Sequence, residues 1–160
     1  MKKFLVIGNP IEHSLSPELH NYWIKNNGIN AIYEKQKLNE NELEKIISKV
    51  KDKKINGVNV TVPFKKKIIP YLDELSFEAQ STQSVNTIYL KDNKVVGHNT
   101  DIFGFETSIK KSDYNLNNKE VLILGAGGVV SSIIFALIKM KVSKIKICNR
   151  TKEKAENLKK

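Results

Sequence analysis

The stretch Asn59-Val-Thr-Val-Pro-Phe-Lys65 decides how the first half of this chain is organised. Its valines, together with Val58, alternate with polar residues, a pattern typical of a half-buried strand. The strand must stop at Pro63, because proline has no N–H to donate to a neighbouring strand. We therefore predict a strand-to-helix turn that carries Thr61 and Lys65 to the edge of an α/β sheet where ligands bind.

Lys65 has two interpretations. At the mouth of a sheet, a lysine can hold a carbonyl oxygen by its charge and exchange a proton with it. Alternatively, Lys65 is only the first of three solvated lysines at 65–67, because most lysines lie in water. Asn86 and Asp101 are both compatible with ordinary turn or cap roles. Asp101 gains a chemical role only if the fold brings its carboxylate to Lys65.

The order of elements predicts an α/β protein. Apolar strand patterns at 3–7, 29–37 and 55–62 alternate with helical patterns near 17–27 and 41–51, which favours a mostly parallel sheet covered by helices. We predict a helical segment over 64–75, interrupted at Pro70, and a β-hairpin over 85–97. The chain then divides into three parts: an N-terminal sheet domain (1–101), a connecting helix and linker (102–118), and an incomplete Rossmann-type β-α-β domain (119–160).

The composition narrows the class of partner. The 160 residues carry a formal charge of +10, which suits nucleic acid, an acidic membrane or anionic small molecules. The lysines are scattered and form no basic stripe with aromatic residues, so we expect no nucleic-acid partner. The uncharged run 121–136 contains three glycines, so a strand, a turn and a buried helix explain it better than a membrane helix.

The cysteine and histidine content suggests a cytoplasmic protein without a metal. The lone Cys148 excludes an internal disulfide and suits a reducing compartment, and the first residues do not predict a signal peptide. His13, His20 and His98 have no carboxylate or cysteine cluster at ligand spacing, so we expect no metal site.

Two serines precede the first predicted helix. Pro17 is a strong helix-start signal, and it places Ser14 and Ser16 beside the helix N-terminus. Two hydroxyls at such a place suit the binding of a carboxylate. The alternative is that Ser16 simply caps the helix, which leaves Ser14 without an explanation.

The stretch Gly125-Ala-Gly-Gly128 follows a short apolar strand and precedes an apolar helix and a second strand at 144–148. This β-turn-α-β order is that of a dinucleotide-binding site. Gly125 permits the tight turn, and Gly127 lets the main chain approach a pyrophosphate. Val130 stands where a third glycine is expected, so the helix must seat differently on the strand. A tight turn without a ligand is the alternative.

The end of the second strand predicts which dinucleotide binds. An NAD site would have an acidic residue there to hold the ribose hydroxyls. This chain has Asn149-Arg-Thr151, with Lys152 and Lys154 nearby. Arginine and hydroxyl groups suit a 2′-phosphate, so we expect NADP(H) as the cofactor.

Taken together, these motifs resemble the shikimate dehydrogenase family along the whole chain. The matching stretches, in collinear order, are Gly8-Asn-Pro10 with Ser14-Leu-Ser-Pro17, Asn59-Val-Thr-Val-Pro-Phe-Lys65, Val85-Asn-Thr87, Gly97-His-Asn-Thr-Asp101, Gly125-Ala-Gly-Gly128 and Asn149-Arg-Thr151. The resemblance implies the family's N-terminal substrate domain plus the start of its NADP-binding domain. It also implies NADPH-dependent, reversible reduction of 3-dehydroshikimate to shikimate, a step of aromatic amino-acid biosynthesis.

The resemblance also implies roles for individual residues. Lys65 and Asp101 form the catalytic pair, and Ser14 and Ser16 hold the substrate carboxylate. Other substrate contacts fall on Thr61, Asn86, Asp101 and, nearby, Asn59. The cofactor contacts fall on Gly125, Ala126, Gly127, Gly128, Asn149, Arg150, Thr151 and Lys154.

Some features depart from the family pattern. Ser84 and Ile102 occupy positions where we expect smaller residues. The sequence ends inside the helix after the second cofactor strand, so we expect a piece of a longer enzyme that alone binds NADPH weakly and turns over poorly. A quinate/shikimate-type dehydrogenase, a non-catalytic nucleotide-binding module and a basic nucleic-acid-binding protein are the alternatives. The oligomeric state, monomer or homodimer, is left open.

Overall fold

A computed structural model describes residues 1–158 of the chain. The strands are β1 (Lys2–Gly8), β2 (Ala31–Lys37), β3 (Gly57–Val60), β4 (Glu74–Leu75), β5 (Thr87–Lys91), β6 (Lys94–His98), β7 (Glu120–Leu124) and β8 (Lys144–Cys148). The α-helices are α1 (Ser16–Asn26), α2 (Leu43–Lys51), α3 (Phe64–Lys67), α4 (Phe77–Thr82), α5 (Asp101–Lys111), α6 (Val130–Lys139) and α7 (Lys152–Glu156). Short 3₁₀ turns lie at Glu40–Glu42 and Ile69–Tyr71.

The strands form two sheets. Six of them follow the order β2-β1-β3-β5-β6-β4, in which β1 runs parallel to β2 and β3, and β4 runs parallel to β6. The β5–β6 hairpin is antiparallel and also pairs antiparallel with β3. The second sheet is the parallel pair β7–β8, joined by α6. The predicted α/β class, with a mostly parallel first sheet and a Rossmann-type β-α-β unit, is confirmed.

The core of the first sheet forms where the apolar periodicity predicts. Helix α2 buries Leu43, Ile46, Ile47 and Val50, which share one face at i, i+3, i+4 and i+7 spacing. This face packs with buried residues of β1 and β3 in one hydrophobic cluster. Burial of such side chains stabilises the fold by about 1.5–3 kcal/mol each.

The segment 64–75 differs from the predicted interrupted helix. Helix α3 ends at Lys67, a 3₁₀ turn follows at Ile69–Tyr71, and Glu74–Leu75 forms the edge strand β4. Pro70 cannot continue a helix, because it lacks an N–H and its ring clashes with the preceding turn. The chain instead pairs with β6: Asp73 N donates to Val95 O at 3.0 Å, and Ser76 N donates to Gly97 O at 2.9 Å. A partner distant in sequence therefore overrides the helical pattern.

The second sheet is joined to the first through helices. Helix α6 packs against α5 and α4, and the rings of Phe77 on α4 and Phe135 on α6 meet edge to face with centroids 6.1 Å apart. The division into 1–101, 102–118 and 119–160 stays a prediction, and the last two residues of the third part lie outside the described residues. Within 1–158, no helix has the length and apolar character needed to cross a membrane.

The buried hydroxyl of Ser84 is expected to lower the stability of the fold. Its side chain is completely buried, and its Oγ has no hydrogen-bond partner within residues 1–158. A buried hydroxyl without a partner costs about 1–3 kcal/mol. We expect Ser84→Ala to raise the free energy of unfolding by about 1 kcal/mol in urea denaturation.

The matched control is Ser108→Ala on the exposed surface of α5, where the hydroxyl donates to Gly104 O at 2.9 Å. Its free energy of unfolding should stay within about 0.5 kcal/mol of the parent value. A loss of stability in Ser84→Ala would mean that the hydroxyl has a stabilising partner.

Candidate active site

Lys65 and Asp101 meet although they are distant in sequence. Lys65 Nζ donates to Asp101 Oδ2 at 2.7 Å, and the two side chains are 13% and 21% exposed. The contact that the sequence left open is therefore present, and Lys65 is not a freely solvated member of the 65–67 run. An ammonium group held by a carboxylate at the edge of a sheet is suited to proton transfer. The catalytic role itself stays a prediction.

The turn before Lys65 is fixed by the core. Phe64 N donates to Thr61 O at 2.9 Å, and the Phe64 ring is 2% exposed within the hydrophobic cluster around α2. Lys65 O in turn accepts a hydrogen bond from Val85 N at 2.9 Å. The main chain at Lys65 is thus held on both sides, so its side chain can be aimed at Asp101 without support from solvent.

Asn86 orients the second oxygen of the Asp101 carboxylate. Asn86 Nδ2 donates to Asp101 Oδ1 at 2.8 Å and to Thr100 Oγ1 at 2.9 Å, while Asn86 Oδ1 accepts from Thr100 N at 3.0 Å. Each carboxylate oxygen of Asp101 therefore has its own donor, Lys65 for one and Asn86 for the other. Both amide hydrogens of Asn86 thus point to protein oxygens. The predicted contact between Asn86 and the substrate stays a prediction.

Asn59 is used inside the protein. Its Oδ1 accepts from the Tyr33 hydroxyl at 2.6 Å, and its Nδ2 donates to Asn86 O and Thr87 Oγ1, both at 3.2 Å. Burial raises the pKa of Tyr33, which keeps the hydroxyl protonated as a donor. The predicted substrate contact from Asn59 stays untested, and its visible role is to support Asn86. Sequence reasoning missed Tyr33, because it lies on β2, two strands away from β3.

Ser14, Ser16 and Thr61 line a cavity of about 280 Å³ together with Ile11 and His13. Ser16 is the first residue of α1, Leu15 occupies the N-cap position, and no side chain among residues 1–158 makes a capping hydrogen bond to this helix. Ser14 Oγ accepts from Ser16 N at 3.4 Å. Ser16 therefore does not have the capping role that the sequence offered as an alternative.

The loop that follows β1 and carries Ser14 (the serine loop) starts at Gly8, and there it lies against Thr61 and Val62. A Cβ atom on Gly8 would lie 2.6 Å from Thr61 Cγ2 and 3.0 Å from Val62 O, so only glycine permits this approach. Asn9 N also donates to Val62 O at 3.0 Å. The ends of β1 and β3 thereby bring the serines and Thr61 into one cavity.

Glu12 ties the serine loop to β2. Its carboxylate accepts hydrogen bonds from its own main-chain N–H, from Lys37 Nζ at 3.1 Å and from Ile11 N at 2.9 Å, which lowers the pKa of Glu12 to about 2. Lys35 Nζ donates to Glu12 O at 2.6 Å. The loop before Ser14 is therefore held by charge at ordinary pH.

A cleft of about 570 Å³ lies between two turns. One is the turn at 61–65 that carries Lys65 (the Lys65 turn), and the other is the turn at 125–128 (the glycine turn). Its walls on the first side include Val62, Pro63, Lys65, Lys66 and Lys67, and on the second side Ala126, Gly127, Gly128, Ser131, Lys154, Asn157 and Leu158. Lys154 lines this cleft, and its predicted contact with the cofactor stays a prediction. Ser131, Asn157 and Leu158 were not predicted, although the position of Ser131 in the first turn of α6 is a usable signal.

The glycine turn fits a dinucleotide pyrophosphate. Gly125 has φ +108°, and a Cβ atom on Gly127 or Gly128 would meet no heavy atom within 4 Å, so their main chain faces open space. Within the described part of the chain, no residue accepts a hydrogen bond from Gly127 N or Gly128 N. Free N–H groups before a helix are suited to phosphate oxygens. The buried Val130 fills the position expected for a third glycine.

The residues after β8 have different positions. Asn149 Oδ1 accepts from Ala126 N at 3.1 Å, and Asn149 Nδ2 donates to Thr151 O at 2.7 Å, so Asn149 holds the two ends of the parallel pair together. Arg150 and Thr151 are exposed and do not line the cleft. Their cofactor contacts stay a prediction. Among residues 1–158, no group of three or more His, Cys, Asp or Glu side chains could hold a metal ion.

Comparison with known proteins finds two family models along the chain. The model described as shikimate dehydrogenase substrate binding domain matches residues 6–88, and the model described as shikimate / quinate 5-dehydrogenase matches residues 107–160. The shikimate dehydrogenase (NADP(+)) of Pelagibacter ubique (strain HTCC1062) is 62% identical over 159 residues, which is 99% of this chain. The chain spans 60% of the length of that relative.

Solved structures resemble the whole described fold. The crystal structure of shikimate dehydrogenase from Aquifex aeolicus has a TM-score of 0.92 at 42% identity, and the match covers 99% of this chain and 59% of that one. Shikimate 5-dehydrogenase from Thermus thermophilus, solved in complex with NADP(H) and shikimate, has a TM-score of 0.89 at 34% identity. That match covers 99% of this chain and 59% of the other.

Proposed function

Because the chain belongs to the shikimate dehydrogenase family, we propose that it carries the substrate site and catalytic pair of an NADPH-dependent shikimate dehydrogenase. The reaction is the reversible reduction of 3-dehydroshikimate to shikimate in aromatic amino-acid biosynthesis. The observation that carries the proposal is the 2.7 Å contact between Lys65 Nζ and Asp101 Oδ2 beside a cleft that reaches the glycine turn.

Lys65 acts as the proton donor in this proposal. NADPH, when bound, supplies the hydride that reduces the ring carbonyl carbon. Negative charge then grows on the carbonyl oxygen, and Lys65 stabilises it and delivers a proton to it. Asp101 keeps the ammonium group oriented, and Asn86 keeps Asp101 oriented. In the reverse direction Lys65 accepts the proton from the substrate hydroxyl.

We propose that the substrate carboxylate binds in the cavity lined by Ser14, Ser16 and Thr61 (the serine cavity). Ser14 and Ser16 present hydroxyl groups beside the N-terminus of α1, where negative charge is favoured. Thr61 shares this cavity and continues into the Lys65 turn, which connects the carboxylate end of the substrate to its reacting carbonyl. Asn86 and Asp101 complete the contacts to ring hydroxyls, and Asn59 contributes through Asn86.

NADP(H) is the proposed cofactor of the glycine turn. Gly125, Ala126, Gly127 and Gly128 would hold the pyrophosphate through main-chain N–H groups. Beyond β8, the cationic and polar groups of Asn149, Arg150, Thr151 and Lys154 suit the 2′-phosphate. The division into a substrate domain, a connecting helix and a cofactor domain follows the same proposal. We propose a cytoplasmic location, because the single Cys148 is free and exposed and suits a reducing compartment.

Ligand titration of the purified chain tests the substrate proposal. In isothermal titration calorimetry, we expect shikimate to bind and its methyl ester to bind about tenfold or more weakly, because the ester loses charge-assisted hydrogen bonds worth about 1.5–3 kcal/mol. Quinate is the third ligand, and binding as tight as that of shikimate would favour the quinate/shikimate-type alternative. Equal affinity for shikimate and its methyl ester would contradict a carboxylate site at the two serines.

A further inference from the structure

A buried amide next to Asp101 joins the first domain to helix α6. Asn99 is 1% exposed, and its Nδ2 lies 2.8 Å from Ser132 Oγ on α6, 2.9 Å from Ser84 O and 3.0 Å from Thr82 Oγ1. Its Oδ1 accepts from Asp101 N at 2.9 Å. One side chain therefore contacts the helix that follows the glycine turn and the first residue of the helix that carries the carboxylate of the catalytic pair.

We propose that Asn99 and Ser132 form a positioning pair that couples occupation of the glycine turn to the geometry of Asp101. The proposal rests on the proposed function, because it concerns how the cofactor and substrate sites of that enzyme influence each other. Helix α6 begins two residues after Gly128, so a ligand that fixes the turn also restrains the first turn of α6, which carries Ser132. Asn99 passes this order to the Asp101 main chain, since its oxygen holds the Asp101 N–H.

The direction of the coupling follows from conformational entropy. Ordering a linked pair of elements once lowers the cost of ordering them for a second ligand, so binding at one site strengthens binding at the other. Couplings between sites typically change affinity by about 5–150-fold, and they are reciprocal. We therefore expect NADPH to strengthen shikimate binding at least fivefold in the unaltered chain. Shikimate is the reduced form of the substrate and NADPH is the reduced form of the cofactor. Their complex contains no hydride acceptor, so no reaction occurs during the titration.

Ser132 is the better position for a substitution, because the number of acceptors around the Asn99 amide allows one of them to be removed. The Asn99 amide has two hydrogens, but three acceptors surround its nitrogen. Ser132→Ala removes one acceptor and leaves two, so no amide hydrogen is left unpaired in the core. The variant should therefore fold normally while losing the direct bond between α6 and Asn99. Asn99→Ala removes all four contacts and is expected to destabilise the fold, so it serves only as a second variant.

The experiment measures shikimate affinity by calorimetry, without NADPH and with NADPH at about ten times its own dissociation constant. In Ser132→Ala we expect the ratio of the two shikimate affinities to fall to within twofold of 1. Ser108→Ala, the same substitution on the exposed face of α5, should keep the ratio of the unaltered chain. A thermal midpoint close to that of the unaltered chain shows that Ser132→Ala has not acted through misfolding.

Each outcome decides between the two proposals. If NADPH does not change the shikimate affinity of the unaltered chain, the coupling proposal is overturned, while the proposed substrate site is not affected. A Ser132→Ala variant that keeps the full ratio overturns it as well. Absence of shikimate binding in the unaltered chain overturns the proposed function, and the coupling proposal with it. Loss of the ratio in Ser132→Ala alone supports the positioning pair.

Discussion

Replacement of Lys65 by alanine is expected to lower kcat for NADPH-dependent reduction of 3-dehydroshikimate by about 10²–10⁴-fold, the typical contribution of a positioned acid–base group. Lys65 Nζ is the cation in contact with Asp101, and the pair lies beside the cleft that reaches the glycine turn. Shikimate binding should change much less, because the serine cavity and Asn86 do not require the ammonium group for their own geometry. The larger effect should therefore fall on kcat rather than on KM.

Turnover is best measured in an enzyme assembled from this chain and the part of the Pelagibacter ubique relative that the chain does not span. The matched control is Lys54→Ala, because the Lys54 side chain is 69% exposed and pairs with Asp52 at the surface. We expect that control to keep the parent kcat. If Lys65→Ala loses less than about tenfold in kcat, Lys65 is not the proton donor.

Replacement of Phe64 by alanine is expected to lower the free energy of unfolding by about 3–5 kcal/mol, the range for a large aromatic side chain removed from a packed core. Phe64 is the largest of the fully buried side chains among residues 1–158, and it packs in the cluster between α2 and the first sheet. Urea denaturation of the purified chain measures the change. Phe64→Leu should cost less, because it retains most of the buried apolar volume.

Phe103→Ala is the control for the same chemical change at the surface. The Phe103 side chain is 73% exposed on α5, so its removal should change the free energy of unfolding by about 0.5 kcal/mol or less. Equal losses in the two variants would mean that Phe64 is not anchored in the core. Phe64 directly precedes Lys65, so the side chain that anchors this turn in the core is adjacent to the lysine of the proposed catalytic pair.

Short-range patterns predicted the elements that position the site. The valine alternation before Pro63, the apolar face of α2 and the β-turn-α-β order around Gly125 are all visible within ten to twenty residues. The last two are present, and the valine pattern forms β3, which is shorter than predicted and ends at Val60. These features depend on side-chain periodicity and on the φ restrictions of proline and glycine, which act locally. The family resemblance added the pairing of Lys65 with Asp101, which no local pattern contains.

Other long-range contacts could not be predicted from the sequence. Residues 64–75 have a helical pattern, yet Glu74–Leu75 became an edge strand, because β6 offered main-chain groups from more than twenty residues away. The Tyr33–Asn59 bond depends on the strand order β2-β1-β3, which brings two non-neighbouring strands within reach of one side chain.

The sequence by itself determined most of the strands and helices, which turn is rich in glycine, and which chemical groups the chain can offer. Only the tertiary structure decided which of these groups meet. It brought Lys65 to Asp101, used Asn59 internally instead of leaving its amide free, and buried Asn99 between Asp101 and Ser132. The physical reason is that a hydrogen bond or an ion pair needs atoms within about 3 Å, and sheet order and helix packing set such distances.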